Sequence, residues 1–389
     1  VVINCWGWIQ SFGVFQAYFT SAFHESPSAI SWIGSLQVFL LFGVGTFSGR
    51  ALDAGYIKQT LFAGVAMQML AMFTLSVSTT YWQALLSGGV VQGIGSGLMF
   101  CPTVALISTY FSKKRAFAVA IGASGSGVGG IIYPLIVRSL LPKIGFGWTV
   151  RVCGFVMGTI GLIAGLVLRT RVAPRRSGPI IELAAFKEVS YTLFCIGALL
   201  FFFGIFFPFY YVSSFARDII GLSYTDSATV LIVVNTIGIF ARLGPNFLAD
   251  RSTGPAKLLV FMLFSTSIVT YSWATVHDRA GLWVWVACYG IFGSSVQGLF
   301  PAALSTLTDD PRKQGTRMGM GFFFAGIGAL VGSPLGGALI SANGGNYIYA
   351  QMWAGSAIFA GFVVILASVW MKGNLKSPEK TGWRSIILK

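Results

Sequence analysis

Histidine and acidic side chains are scarce in this chain. Its 389 residues include two histidines, His24 and His277, and 11 aspartates and glutamates together. Charged residues of both signs make up 10%, against about 25% in an ordinary soluble domain. Acid–base catalysis needs a proton carrier held at the substrate. Both histidines fall between apolar runs, and no carboxylate pair lies within one. The sequence therefore does not read as an enzyme. The five cysteines lie mostly in or beside apolar runs, without metal-ligand spacing, so they read as packing residues and no metal or cofactor is expected.

Apolar length is what the chain has in excess. Hydrophobic residues make up 55%. "TLFAGVAMQMLAMFTLSVS" from Thr60 and "LWVWVACYGIFGSSVQGLFPAALSTL" from Leu282 carry no charge. Uncharged apolar runs of about 18 residues or more read as membrane spans. In lipid they must be helical, because an unpaired backbone group there costs several kcal/mol. Twelve such segments are expected, near 1–22, 31–49, 59–77, 81–109, 116–137, 147–168, 190–213, 224–245, 257–275, 281–305, 317–341 and 347–371. Val1 already lies in an apolar run, so the first helix reads as truncated at its start.

The net charge of +15 becomes a topology signal. All the basic residues except Arg138, Lys143, Arg151, Arg217, Arg242 and Arg279 fall in the even-numbered loops, the central linker or the tail. Positive charge marks the cytoplasmic side, which places both termini in the cytoplasm of an integral, multi-pass protein, with the plasma membrane the expected location and an internal membrane the alternative. Nucleic acid is not an expected partner; a lipid bilayer is.

The two halves echo one another. A shift of 199 residues aligns Pro102 with Pro301, and Gly122, Gly127 and Gly129 with Gly321, Gly326 and Gly328. This suggests a duplicated six-helix unit: an N-terminal bundle 1–168, a cytoplasmic linker 169–189, a C-terminal bundle 190–371 and a tail 372–389. Two six-helix halves with a path between them are a recurring transporter plan. The glycines, with Gly125, read as sites of close helix packing. Phosphate-loop fingerprints need a strand before the glycines, and here they lie in a membrane helix.

Three further groups of residues stand out. Gly49, Arg50 and Asp53 lie where span two meets the cytoplasm, and Asp250 and Arg251 repeat the theme after span eight. They read as a conformational latch, with Gly49 allowing close helix approach. In "NTIGIFARLGPNFLADRSTG", residues 235–254, Arg242 is a lone charge in an apolar helix. A buried arginine costs a few kcal/mol or more, so it snorkels or faces a cavity. The cavity reading gives it an anionic substrate group to bind, with Asn235 two turns earlier on a similar face. Gly244 and Pro245 are expected to loosen and end the helix. Gln16, Tyr18, Tyr210 and Tyr211, with Gln10, offer amides and hydroxyls from spans one and seven that could orient a ligand. A channel would need a continuous pore or selectivity ring, and a receptor or scaffold would find little room in these short loops.

Twelve spans, duplicated halves and the Gly49-to-Asp53 loop resemble the major facilitator superfamily across nearly the whole chain. "SFGVFQAYF" from Ser11, "YFSKKRAFAVAIGASGSGVGG" from Tyr110 and "IFARLGPNFLADRSTG" from Ile239 resemble its monocarboxylate-transporter-like branch, especially the fungal members. The resemblance implies alternating access, by a carrier expected to function as a monomer. Animal members of that branch move small monocarboxylates with a proton, using a lysine in span one and an aspartate–arginine pair in span eight. Here Arg242 takes the arginine place, but Gly238 takes the aspartate place and Gln16 the lysine place. Neither can carry a proton, so the resemblance carries the fold and not lactate transport. It leaves open carriage of an organic acid or related small metabolite, and efflux of a larger, largely apolar secondary metabolite. Proton coupling and facilitated diffusion also stay open.

Overall fold

The computed structural model describes residues 1–53, 55–110, 115–168, 182–249, 254–308 and 314–375. Among them the backbone is helical apart from short turns. The first rod is α1 (Val2–Gln10) followed by α2 (Phe12–Phe23), with a joint at Ser11; α3 (Pro27–Asp53) and α4 (Ile57–Leu75) come next. The fourth rod is α5 (Tyr81–Ala84), a π-helical turn at Leu85–Val91, and α6 (Gln92–Tyr110). α7 (Arg115–Val167) covers 53 residues. A straight helix of that length would run about 80 Å, far beyond a hydrocarbon core of about 30 Å. It bends at Gly145, whose φ of 73° suits glycine, so it supplies the fifth and sixth rods without the separating loop that the sequence suggests.

The second set repeats the plan. α8 (Val189–Ile205) and α9 (Phe207–Asp218) form one rod with a joint at Phe206, followed by α10 (Tyr224–Leu248), α11 (Pro255–Ser272), α12 (Arg279–Ser305), α13 (Gln314–Ala342) and α14 (Ile348–Leu375). The joints in the first rod of each set share a geometry: Ser11 has φ −90° and ψ −7°, and Phe206 has φ −89° and ψ −17°. Nine segments among the described residues are long and apolar enough to cross a membrane, α7 counting as one of them. Their outward faces are greasy: Phe240 is 71% exposed, while Arg242, two residues on, is 1% exposed. Such an inversion of a soluble helix suits lipid outside and a polar interior.

The repeated glycines sit in repeated surroundings. A Cβ on Gly129 would collide with the Ile3 carbonyl of α1, and one on Gly328 with the Leu199 carbonyl of α8. Gly122 faces Ile107 of α6, and Gly321 faces Leu304 of α12. Gly127 meets Asn235 and Ile239 of α10, and Gly326 meets Phe39 and Phe42 of α3. Gly125 packs on Val2 and Ile3. The sequence shift of 199 is thus a repeat in space. The last contacts also define two long seams between the sets, α7 on α10 and α3 on α13.

Candidate functional site

Arg242 is held by the chemistry of its own helix. Ser223 caps α10, accepting from the Asp226 amide at 3.1 Å. Pro245 has no N–H to donate to the Ala241 carbonyl one turn back. Ser295 of α12 supplies that bond instead, its hydroxyl donating to the Ala241 oxygen at 2.9 Å. Asn246 donates its side-chain amide to the Arg242 carbonyl at 2.8 Å. The helix therefore continues through Pro245 to Leu248 rather than ending there, because side chains satisfy the carbonyls and stitch α10 to α12.

The guanidinium does not snorkel. Arg242 is 1% exposed, and its Nη2 donates to Gln297 Oε1 at 3.0 Å. The same oxygen accepts from Gln10 Nε2 at 2.5 Å. Gln297 of α12 thus links Arg242 to α1, across the two sets of helices. Arg242 Nη1 and Gln297 Nε2 are buried with no hydrogen-bond partner among the described residues. Gly238 makes room for this arrangement: a Cβ there would lie 2.5 Å from Ser294 Oγ and 2.8 Å from Arg242 Nη1. No carboxylate among the described residues pairs with Arg242.

Arg242 and Gln297 face a cavity of about 60 Å³. Its walls are mostly rings, among them Trp6, Phe42, Phe100, Phe206, Phe300 and Phe322. Trp6 stacks on Phe206 at 6.0 Å and meets Phe42 at 5.4 Å, so both sets of helices contribute. Ligand sites are commonly apolar concavities of about 300–1,000 Å³ with a few polar groups. This one has the composition of such a site in a contracted form.

The other residues singled out in the sequence fall in different places. Asn235 donates to the Leu231 carbonyl at 3.0 Å and to the Gln10 carbonyl at 3.5 Å, against Gly130 of α7. Gln16 and Tyr211 belong to a separate cluster. Gln16 Nε2 and the Tyr211 hydroxyl both donate to the Pro27 carbonyl at 2.9 Å, and Tyr211 also bonds Ser31. Ser28 donates to the Pro334 carbonyl at 2.8 Å nearby. These bonds knit α2 and α3 to α9 and α13, at the end that carries the α2–α3 turn. Tyr18 stacks on Phe146 at 4.8 Å, just past the bend of α7. Tyr210 lies between the two clusters, its ring 4.9 Å from Phe12 and 6.3 Å from Phe206, with a buried hydroxyl that has no partner among the described residues.

Of the latch residues, Gly49, Arg50 and Asp53 lie in the last turns of α3, while Asp250 and Arg251 lie outside the described residues. Gly49 has no described neighbour within 4 Å of where a Cβ would be. Gln297 escaped the sequence reading. The only trace of it is an amide inside the uncharged run from Leu282. A second unforeseen cluster ties Arg317 of α13 to Glu182 and Glu188 ahead of α8, at 3.2 Å and 2.6 Å.

Comparison with known proteins agrees with this architecture. A family model described as Major Facilitator Superfamily matches residues 1–316. An MFS-type transporter of Gibberella zeae is 41% identical, over 94% of this chain and 83% of its own length. An aspyridones efflux protein of Emericella nidulans is 31% identical over 94% and 74%, and an agnestins efflux protein of Paecilomyces divaricatus is 32% identical over 94% and 82%. The crystal structure of the Escherichia coli fucose:proton symporter superposes with a TM-score of 0.66 at 15% identity, covering 94% of this chain and 97% of that one. The family match and these relatives, in accord with the duplicated helical architecture, establish that the chain belongs to the major facilitator superfamily and is a multi-pass membrane transporter, not an enzyme.

Proposed function

We propose that this transporter carries an organic acid or related small metabolite by alternating access, with Arg242 as the contact for its anionic group. The supporting observation is the unpartnered Nη1 of a buried arginine at an aromatic cavity. A guanidinium in such a place favours a carboxylate or another delocalised anion. Efflux of a larger, largely apolar secondary metabolite is a second reading, favoured by the ring-lined walls and by the printed names of two relatives. Neutralising Arg242 separates the two. Arg242→Ala should lower uptake of an anionic cargo at least tenfold in vesicles while membrane delivery persists. Unchanged transport of every confirmed anion would remove Arg242 from the site.

In this reading the bundles 1–168 and 190–371 rock about the cavity, joined by the linker 169–189. The protein works as a monomer in the plasma membrane, with both termini and the tail 372–389 in the cytoplasm. Asp53 and Asp250 serve the latch. Asp53→Asn should then change cycling rate and leave cargo binding intact, and lost binding in a folded variant would argue against the latch. Gln16 and Tyr211, bonded to Pro27, act as a gate at the far end of the path. Tyr210, beside Phe206, is the hydroxyl best placed to meet cargo.

A further inference from the structure

The surroundings of Arg242 bear on how transport is driven. α12 brings Gln297 and Ser294 to the guanidinium, α1 brings Gln10 through Gln297, and α7 brings Gly127. On α10 itself the neighbours are Gly238 and the Asn246 amide. The cavity wall adds aromatic rings and Ser126. Every one of these groups is neutral and none titrates near pH 7. The described acidic side chains in ion pairs or caps, Glu182, Glu188, Asp218, Asp226 and Asp278, stand at helix ends. Both histidines stand in turns.

We propose that the carrier moves a flat, conjugated monoanion by uniport, driven by the membrane potential, with no proton taken up or released by the protein. The proposal rests on the reading of Arg242 as the anion contact. A guanidinium stays protonated throughout the useful pH range, so the empty site carries one positive charge and the loaded site carries none. No bond is made or broken, and one negative charge crosses per cycle, moving toward the positive face of the membrane. Proton coupling needs a group whose protonation changes as access alternates, and among the described residues the site contains none. The charge of Arg242 offsets the cost of carrying an anion through low dielectric, and the anion in turn relieves an unpaired buried charge. The walls select the cargo's shape. A small hydroxy acid would leave its hydroxyls facing rings, without hydrogen bonds. A conjugated anion lays its faces on Trp6 and the phenylalanines and turns its charged edge to Arg242 Nη1 and Gln297 Nε2.

The test uses the full chain in sealed vesicles, with potassium gradients and valinomycin setting the potential. The probes are naphthalene-2-sulfonate, which stays ionised and cannot ferry a proton, and lactate. At equal pH on both sides, the sulfonate should accumulate on the positive side, approaching about 50-fold for 100 mV, the ratio equivalent to ~2.3 kcal/mol per charge. A pH gradient at zero potential should give no accumulation, and lactate should not move. Arg242→Gln should abolish the response. Arg242→Lys, which keeps the charge, should retain it at a lower rate and so separates charge from folding. Accumulation driven by the pH gradient alone would overturn uniport and leave the anion contact standing. Transport of lactate without the sulfonate would overturn the substrate class. Absence of protein-dependent movement of either probe, or full transport by Arg242→Gln, would overturn the underlying reading of the site.

Discussion

At the scale of single residues, the site depends on a missing side chain as much as on a charge. Gly238 lies against both Arg242 Nη1 and Ser294 Oγ. Gly238→Ala places a methyl group within their contact distance, so the guanidinium must shift by a fraction of an ångström or more. Such a shift weakens a positioned hydrogen bond steeply. The expected result is a rise of about tenfold in KM for an anionic cargo, equivalent to ~1.4 kcal/mol, with little change in protein yield. Uptake kinetics across a concentration series would check it. Arg242 was legible in the sequence because a charge is conspicuous in an apolar helix. Gln297 was not, because it is uncharged and its partners Arg242 and Gln10 lie 55 and 287 positions away. No local pattern encodes such a meeting.

At the scale of elements, the fold was legible wherever run length and glycine spacing carry it. Spans are set by the thickness of lipid, and the shift of 199 residues predicted matching helix contacts that the glycines display. Gly129→Val and Gly328→Val should be about equally harmful, since each drives a branched side chain into a backbone carbonyl of a neighbouring helix. Both variants are expected to fail membrane delivery, while Gly49→Val, with no described neighbour within 4 Å, should be delivered normally. Surface labelling and gel filtration would compare the three. The joint at Ser11 was not legible, because a serine can bond its own helix, as Ser11 does with the Gly7 carbonyl at 2.7 Å. The joint at Phe206 does leave a trace in the sequence, Pro208, which lies in the first turn of α9 and has no N–H to offer the Gly204 carbonyl. The bend of α7 needed Gly145, one glycine among 49. The Arg317 cluster is also an element-scale device, fastening the start of α8 to α13. Arg317 and Glu182 are largely buried while Glu188 is about half exposed, so losing Arg317 costs less than the ~3–5 kcal/mol of a fully buried pair. Arg317→Ala should therefore lower the midpoint of thermal unfolding in detergent by several degrees.

At the scale of the whole molecule, hydrogen bonds join the halves at one end while the cavity lies nearer the other. Trp6 and Val2, at the start of α1, line the cavity, whereas Tyr211, Ser31 and Pro27 join the halves at the opposite end. Opening that end must break the Tyr211 bonds. Tyr211→Phe removes the hydroxyl and keeps the ring. A net hydrogen bond is worth about 1 kcal/mol, so the population open at that end should rise about fivefold. Reaction of a membrane-impermeant thiol reagent with a cysteine introduced at Ser35, buried one turn deeper in α3 and not bonded to Tyr211, would register the change.

The ring contacts of Trp6 offer one more consequence, an optical one. The chain has 11 tryptophans, and among the described ones Trp6 alone lines the cavity while stacked on a ring of the opposite half, Phe206. When the halves part, its indole exchanges aromatic neighbours for water or cargo. The difference in emission between the unaltered chain and Trp6→Phe is therefore a built-in signal of loading and reorientation, readable without attached dye or isotope.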